Sequence, residues 1–247
     1  MNDSQVPKGY ILLANEKENL SSDSIKSLAQ RLHFHILSEE NLPADALPKL
    51  VFENNQWLVF THDRKSTVGV DFFLPSFYSR LSRQGFEKEN VVRAVKGRNK
   101  AKLPLFVLDA TAGFGYDGFL LANAGCQLTM VEKNPLLAFL LAQAIHRAAD
   151  SDDVIAEVAS QIVFYEGDSV DVMKSWKGRR PDVVYLDPMY SIVEQEPKRG
   201  LKKTAAVKKN MAFLQQIAAH NSAAEDQRLF EAAVEIAHSK VVIKRAP

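Results

Sequence analysis

Several acids stand where apolar runs stop. Asp109 follows "LFVL", Glu132 follows "QLTMV", Asp168 follows "QIVFYEG", and Asp187 follows "PDVVYL". A carboxylate at the end of a buried strand gains nothing from the core and must face something polar. The stretch after Asp109 reads "LDATAGFGYDGF", in which Gly113, Gly115 and Gly118 form G-x-G-x-x-G. Such glycines let the backbone approach a ligand, and the helix that follows presents free N–H groups. A glycine turn of this kind also serves as a plain connection between strand and helix. Glu132 can accept hydrogen bonds from both hydroxyls of a ribose, or sit solvated in a loop. Its neighbour Lys133 can line the same pocket or be solvated. Asp168 and Ser169 can accept the exocyclic amine of an adenine or cap the helix "SVDVMKSW", and the two roles are compatible. Glycine turn and acid together point to a nucleoside cofactor, with Asp109 and Gly113 at its edge.

Those features suit NAD as well as S-adenosylmethionine. "LDPMY" separates them. An exocyclic amine on a nucleobase is a poor nucleophile, because its lone pair is delocalised into the ring. Acceptors on its N–H bonds turn that lone pair toward an electrophile. Asp187 and the carbonyl of Pro188 are placed to do so, and the proline forces a rigid, extended exit. Tyr190 offers a face on which a base can stack. Positioning of this kind suits transfer of a methyl group from a sulfonium, which needs neither a nucleophilic side chain nor a metal.

The elements that must position these residues fall into two parts. From Leu103 onward, strand and helix alternate. Strands are expected at 105–110, 127–133, 161–168, 181–187 and 240–245. Helices are expected at 117–125, from Pro135 through "PLLAFLLAQAIHRAA", and at 226–239. This order implies right-handed βαβ units, and so a mostly parallel sheet with helices on both faces. Ligands of such sheets bind outside the carboxyl ends of the strands. The earlier part predicts strands at 10–14, 34–37 and 67–75, a hairpin turning at Asn54-Asn55-Gln56, and a helix within "SSDSIKSLAQRLH". The predicted organisation is a small α+β domain over residues 1–75 and a Rossmann-like α/β domain over 76–247.

The quoted motifs carry a resemblance. "DPMY" looks like the [D/N]-P-P-[Y/F] signature of class I amino-methyltransferases, with methionine in place of the second proline. "LDATAGFGYDGFLLANAGC", "VEKNP", "VVYLDPMY", "AAVKKNM" and "VVIKR", in that order, resemble the ribosomal RNA small subunit methyltransferase J family. The likeness runs from about Val70 to Arg245. It implies a class I methyltransferase domain, S-adenosylmethionine as cofactor, and methylation of a guanine N2 amine in 16S ribosomal RNA. It also implies cofactor contacts at Tyr116, Asp117, Glu132, Lys133, Asp168, Ser169 and Asp187. The family usually has arginine at the place of Tyr116 and phenylalanine at that of Tyr190. It continues past "KRP" into a final hairpin, where this chain reads "KRAP" and stops. Methylation of another base or amine, and an NAD-binding module without catalysis, are the competing readings.

Net charge is +1, so an RNA surface must come from local clustering. "PKRGLKKTAAVKKN" carries Lys198, Arg199, Lys202, Lys203, Lys208 and Lys209 without an acid. A second cluster comprises Arg80, Arg83, Arg93, Lys96, Arg98, Lys100 and Lys102. Either can hold phosphates or be a solvated face. His33 and His35 alternate along an expected strand but have no companions for a metal set. The single cysteine, Cys126, reads as a small core residue, as do Met173 and Trp176 at helical spacing. The start shows no signal pattern and no apolar run is long enough to span a bilayer, which leads to the expectation of a cytoplasmic protein.

Overall fold

Asp109 and Glu132 end strands of one parallel sheet, and Asp168 and Asp187 follow the ends of two more of its strands. The computed structural model describes residues 9–12, 21–37, 48–60, 67–82, 86–97, 104–188 and 222–244. Met189 and Tyr190 lie outside the described residues, as do the Lys198–Lys209 stretch and Arg83, Arg98, Lys100 and Lys102. The chain divides into two compact units, Met1–Val70 with Lys198–Ile217, and Asp71–Pro197 with Ala218–Pro247.

The first unit contains β1 (Gly9–Leu12), α1 (Ser22–Leu32), β2 (Phe34–Leu37), β3 (Lys49–Glu53), β4 (Gln56–Phe60) and β5 (Thr67–Val68). They form a sheet in the order β2-β1-β3-β4-β5. β3 and β4 join through Asn54 and Asn55, both in the left-handed region at φ 50° and 61°. This is the two-residue hairpin connection that asparagines favour. Ser21 caps α1, its side chain accepting from Ser24 N. His33, expected on a strand with His35, instead closes α1 at φ 55°, its N–H reaching the last carbonyls of the helix, and the strand starts at Phe34.

The expected strand over 67–75 stops at Val68. Asp71 Oδ1 accepts from Phe73 N at 2.9 Å, a local turn that competes with extension. Pro75 then opens α2 (Pro75–Ser82) instead of closing a strand. The sequence reading also passed over α3 (Asn90–Lys96), which buries Val91, Val92 and Val95. Within the basic cluster, Arg80 is paired with Glu89 at 3.0 Å, and Lys96 Nζ donates to the Ala124 carbonyl at 2.7 Å.

The second sheet holds β6 (Phe106–Asp109), β7 (Gln127–Glu132), β8 (Ile162–Glu166), β9 (Val183–Leu186) and β10 (Lys240–Ile243). Its order is β10-β9-β6-β7-β8 and every pairing is parallel. Between the strands run α4 (Tyr116–Asn123), α5 (Pro135–Ala149), α6 (Ile155–Ser160), α7 (Ser169–Lys174) and α8 (Ala223–Ile236). Leu108, Val131, Val184 and Leu186 pack on α7 and α8 through Val170, Met173, Leu229, Ala233 and Ile236. On the opposite face, Leu128 and Met130 lie against α4 at Gly118. Helices thus cover both faces, the Rossmann-like arrangement expected of the alternating pattern. Among the described residues no helix is long and apolar enough to cross a membrane.

Candidate active site

Parallel pairing brings the carboxyl ends of all these strands to one edge. β6 lies between β7 and β9, with Asp109 opposite Met130 on one side and Tyr185 on the other. β10 runs beside β9 with Ile243 opposite Leu186, so the next residues, Lys244 and Asp187, are neighbours. Asp109, Glu132, Asp187 and Lys244 are therefore brought together by sheet topology.

The glycine turn rests on Glu132. This side chain is buried, 8% exposed. Oε2 accepts from Gly113 N and Oε1 from Asn134 N, each at 2.8 Å. Burial pushes its carboxyl up, and the N–H groups of Asn134, Gly113 and Lys133 oppose that rise. Asn134 caps α5 in turn, its side chain accepting from Leu136 N and Leu137 N, with Pro135 at the first helical position. Gly113 adopts φ 55°, and a Cβ added there would meet no atom within 4 Å, so the turn borders open space. Gly118 has the opposite reason to be glycine: a Cβ would lie 2.5 Å from Met130 Cε and 3.0 Å from Asp109 Oδ2.

Asp109 is enclosed, at 1% exposure. Oδ1 accepts from Thr111 N at 3.1 Å. Burial pushes its carboxyl up to about 8, opposed by the Thr111 N–H and reinforced by Asp117, Asp187 and Glu132. Thr111 also fixes the fourth strand end, its Oγ1 accepting from Asp187 N at 2.6 Å. Pro188 is buried next to it.

Asp187 and Asp117 share a cation. Lys244 Nζ donates to Asp187 Oδ2 and to Asp117 Oδ2, both at 2.7 Å. The buried Tyr185 hydroxyl donates to the same Asp117 oxygen at 2.8 Å. Burial raises the Asp187 carboxyl and Lys244 opposes this. Burial pulls the Lys244 ammonium down, but the two carboxylates outweigh it and leave it raised.

The third strand end is arranged as a cap. Asp168 is exposed, and its Oδ1 accepts from Val170 N at 2.8 Å at the start of α7. Ser169 is buried and donates its hydroxyl to the Ala110 carbonyl at 2.5 Å, joining α7 to β6. Tyr116 stands apart from the acids. Its hydroxyl reaches the Asp71 carbonyl at 3.5 Å, and its ring packs on Phe77 at 4.8 Å and Phe72 at 5.9 Å. Burial holds its hydroxyl up at about 12. Lys133 is exposed beside Glu132.

Comparison with known proteins agrees with this geometry. A family model described as "Putative SAM-dependent methyltransferase" matches residues 30–247. The ribosomal RNA small subunit methyltransferase J of Pseudomonas paraeruginosa is 34% identical, covering 99% of this chain and 87% of the relative. The chain belongs to the ribosomal RNA small subunit methyltransferase J family. A second member, from Alteromonas mediterranea, is 31% identical over 95% of this chain and 86% of the relative. The crystal structure of an S-adenosylmethionine-dependent methyltransferase from Neisseria gonorrhoeae shares the fold. Its TM-score is 0.64 at 24% identity, covering 96% of this chain and 84% of that one. The chain is accordingly a class I methyltransferase whose cofactor is S-adenosylmethionine.

In this methyltransferase J family member the acids stand at or just past strand ends, as their apolar runs imply, and Thr111, Tyr185 and Lys244 join them through the fold. Lys244 follows "KVVI" as Asp187 follows "VVYL", which was the available signal. A lysine closing an apolar strand has the same need of a polar partner as an aspartate.

Proposed function

We propose that this chain transfers a methyl group from S-adenosylmethionine to the N2 amine of a guanine in 16S ribosomal RNA. The observation that carries the reading is the placement of Asp187 and Pro188. They leave β9 at the sheet's carboxyl edge, where the Asp187 N–H is held by Thr111 at the start of the glycine turn. The relatives' name, ribosomal RNA small subunit methyltransferase, supports the RNA. The motifs of "LDPMY" and its companions support the guanine amine.

The residues present suit the cofactor. Open space borders Gly113, and Glu132, whose oxygens take the N–H groups of Gly113 and Asn134, keeps acceptor capacity for a ribose hydroxyl. Asp168 keeps acceptor capacity for an adenine amine while capping α7. Gly113, Asp117, Lys133 and Ser169 complete the proposed binding set, with Asp109 behind them. Tyr116 takes part through its place at the start of α4. When bound, S-adenosylmethionine supplies a methyl group already activated on a sulfonium.

Asp187 and the Pro188 carbonyl accept the two N–H bonds of the target amine and turn its lone pair out of the ring. The amine that gains a methyl loses one proton, which passes by way of the Asp187 carboxylate to solvent. Tyr190 stacks on the base, and Lys198, Arg199, Lys202, Lys203, Lys208 and Lys209 hold phosphates of the RNA.

The test is transfer of labelled methyl to small-subunit ribosomal RNA, followed by mass-spectrometric analysis of the nucleosides. Label in N2-methylguanosine is expected. Label in a methylated adenine or cytosine would replace the guanine claim. Calorimetric binding of NAD with no binding of S-adenosylhomocysteine would overturn the whole reading.

A further inference from the structure

Asp187 does not stand alone at the edge of the sheet. A chain of contacts leads to it from the core: Tyr185 is 2% exposed, its hydroxyl holds Asp117 Oδ2, and that oxygen holds Lys244 Nζ, which holds Asp187 Oδ2. The far end is loose by comparison, since the Asp187 side chain is 38% exposed and that of Asp117 22%. Lys244 is itself anchored, its N–H donating to the Leu186 carbonyl at 2.8 Å. The ammonium therefore starts from a fixed backbone and bridges two carboxylates carried on different elements, α4 and the exit of β9.

We propose that Lys244 is a positioning residue for methyl transfer, clamping the Asp187 carboxylate to Asp117 in the orientation that receives the target amine. This rests on the role given to Asp187 above and adds a residue to it. A carboxylate used as an acceptor must be ionised and still. Without the lysine neither condition holds. Asp187 is faced by Asp117 from α4 and Asp109 from β6, with Glu132 beyond on β7 and the Tyr185 hydroxyl on its own strand. Lys244 is the cation that Asp117 and Asp187 share. Removing it leaves the Asp187 carboxyl, already raised by burial and by Asp117, without the ammonium that opposes the rise, so Asp187 takes up a proton at higher pH. A protonated Asp187 is lost as an acceptor for the amine. Lysine suits this place better than a planar guanidinium would, because its charge is compact and its donors can serve two oxygens on separate elements. Among the described residues no group of three potential metal ligands occurs.

The experiment compares the full chain with its Lys244→Met and Lys244→Arg variants. One arm follows turnover on small-subunit ribosomal RNA against pH. Lys244→Met should lower kcat by about 10- to 100-fold near neutrality, the scale of a misplaced catalytic group. Its acid limb should move to higher pH, so that part of the activity returns in alkali, with KM for RNA little changed. Lys244→Arg should restore the limb toward the wild-type position. A second arm needs no turnover: carbon-13 NMR of the Asp187 carboxyl in the free protein, with melting recorded to confirm the fold. Its titration should move to higher pH in Lys244→Met. An unmoved titration, or a loss of kcat equal at every pH, would make Lys244 a packing residue of the sheet edge and overturn the clamp. A moved titration in a protein that methylates no ribosomal RNA would leave the clamp standing and sink the proposed function instead.

Discussion

The N–H of Gly113 and the carboxylate of Glu132 are 2.8 Å apart, so the turn after β6 is fastened to the end of β7 by the acid proposed for the ribose. With Asn134 N on its other oxygen, Glu132 holds two stretches of backbone as well as facing the open space beside Gly113. Glu132 thus has a structural role beside the proposed binding one.

Glu132→Ala should accordingly do two things. It leaves two part-buried N–H groups without their acceptor, at a cost of up to about 1–3 kcal/mol each, and it removes the proposed ribose contact. A lowered melting temperature and weaker binding of S-adenosylhomocysteine are both expected, the first by thermal unfolding and the second by calorimetry. Binding that is unchanged once the fold is secured by cooling would take Glu132 out of the cofactor site.

Asp109 makes a prediction about pH. Its carboxyl is raised from 3.8 to about 8 by burial, so the folded chain keeps a proton that the unfolded chain releases. The resulting contribution to stability is complete below the lower value and is lost as pH rises through the upper one. Asp109→Asn cannot titrate. The melting temperature of Asp109→Asn relative to wild type should therefore climb between pH 4 and 8. A constant difference across that window would mean that Asp109 is ionised in the fold.

Asp168 and Ser169 can be resolved by the bonds each makes, a cap of α7 and a link to the Ala110 carbonyl. Asp168→Ala should cost about 1 kcal/mol by uncapping α7. Asp168→Ser keeps a cap and loses the carboxylate. A clear fall in cofactor affinity for Asp168→Ser, at nearly wild-type stability, is the expected result if the acid accepts an adenine amine. Ser169→Ala should cost about 0.5–1.5 kcal/mol through its bond to the Ala110 carbonyl.

The basic stretch is tested by salt. Reversing Lys202, Lys203, Lys208 and Lys209 to glutamate should weaken RNA binding and flatten its dependence on ionic strength. Cofactor affinity should hardly change. An intact salt slope would move the RNA contact to the Arg80–Lys102 segment, where Arg80 and Lys96 are already engaged with Glu89 and the Ala124 carbonyl.

Local chemistry was legible in the sequence wherever neighbours along the chain determine it. Helix α5 begins at Pro135 because Asn134 caps it and a proline suits its first position, and both signals are adjacent residues. The hairpin at Asn54 and Asn55 was legible for the same reason, as were the sheet strands, whose unbroken apolar runs imply burial on both faces. "TVGVDFFLP" misled because an aspartate turned the chain back on itself, a preference that alternating apolar residues conceal. The identity of each strand-end acid also came from the sequence, but not its partners. Lys244 meets Asp117 across 127 positions and Asp187 across 57, contacts that exist only because β10 pairs with β9 and β9 with β6. Strand order is set by packing of whole elements, so tertiary structure alone decided which charges share a site.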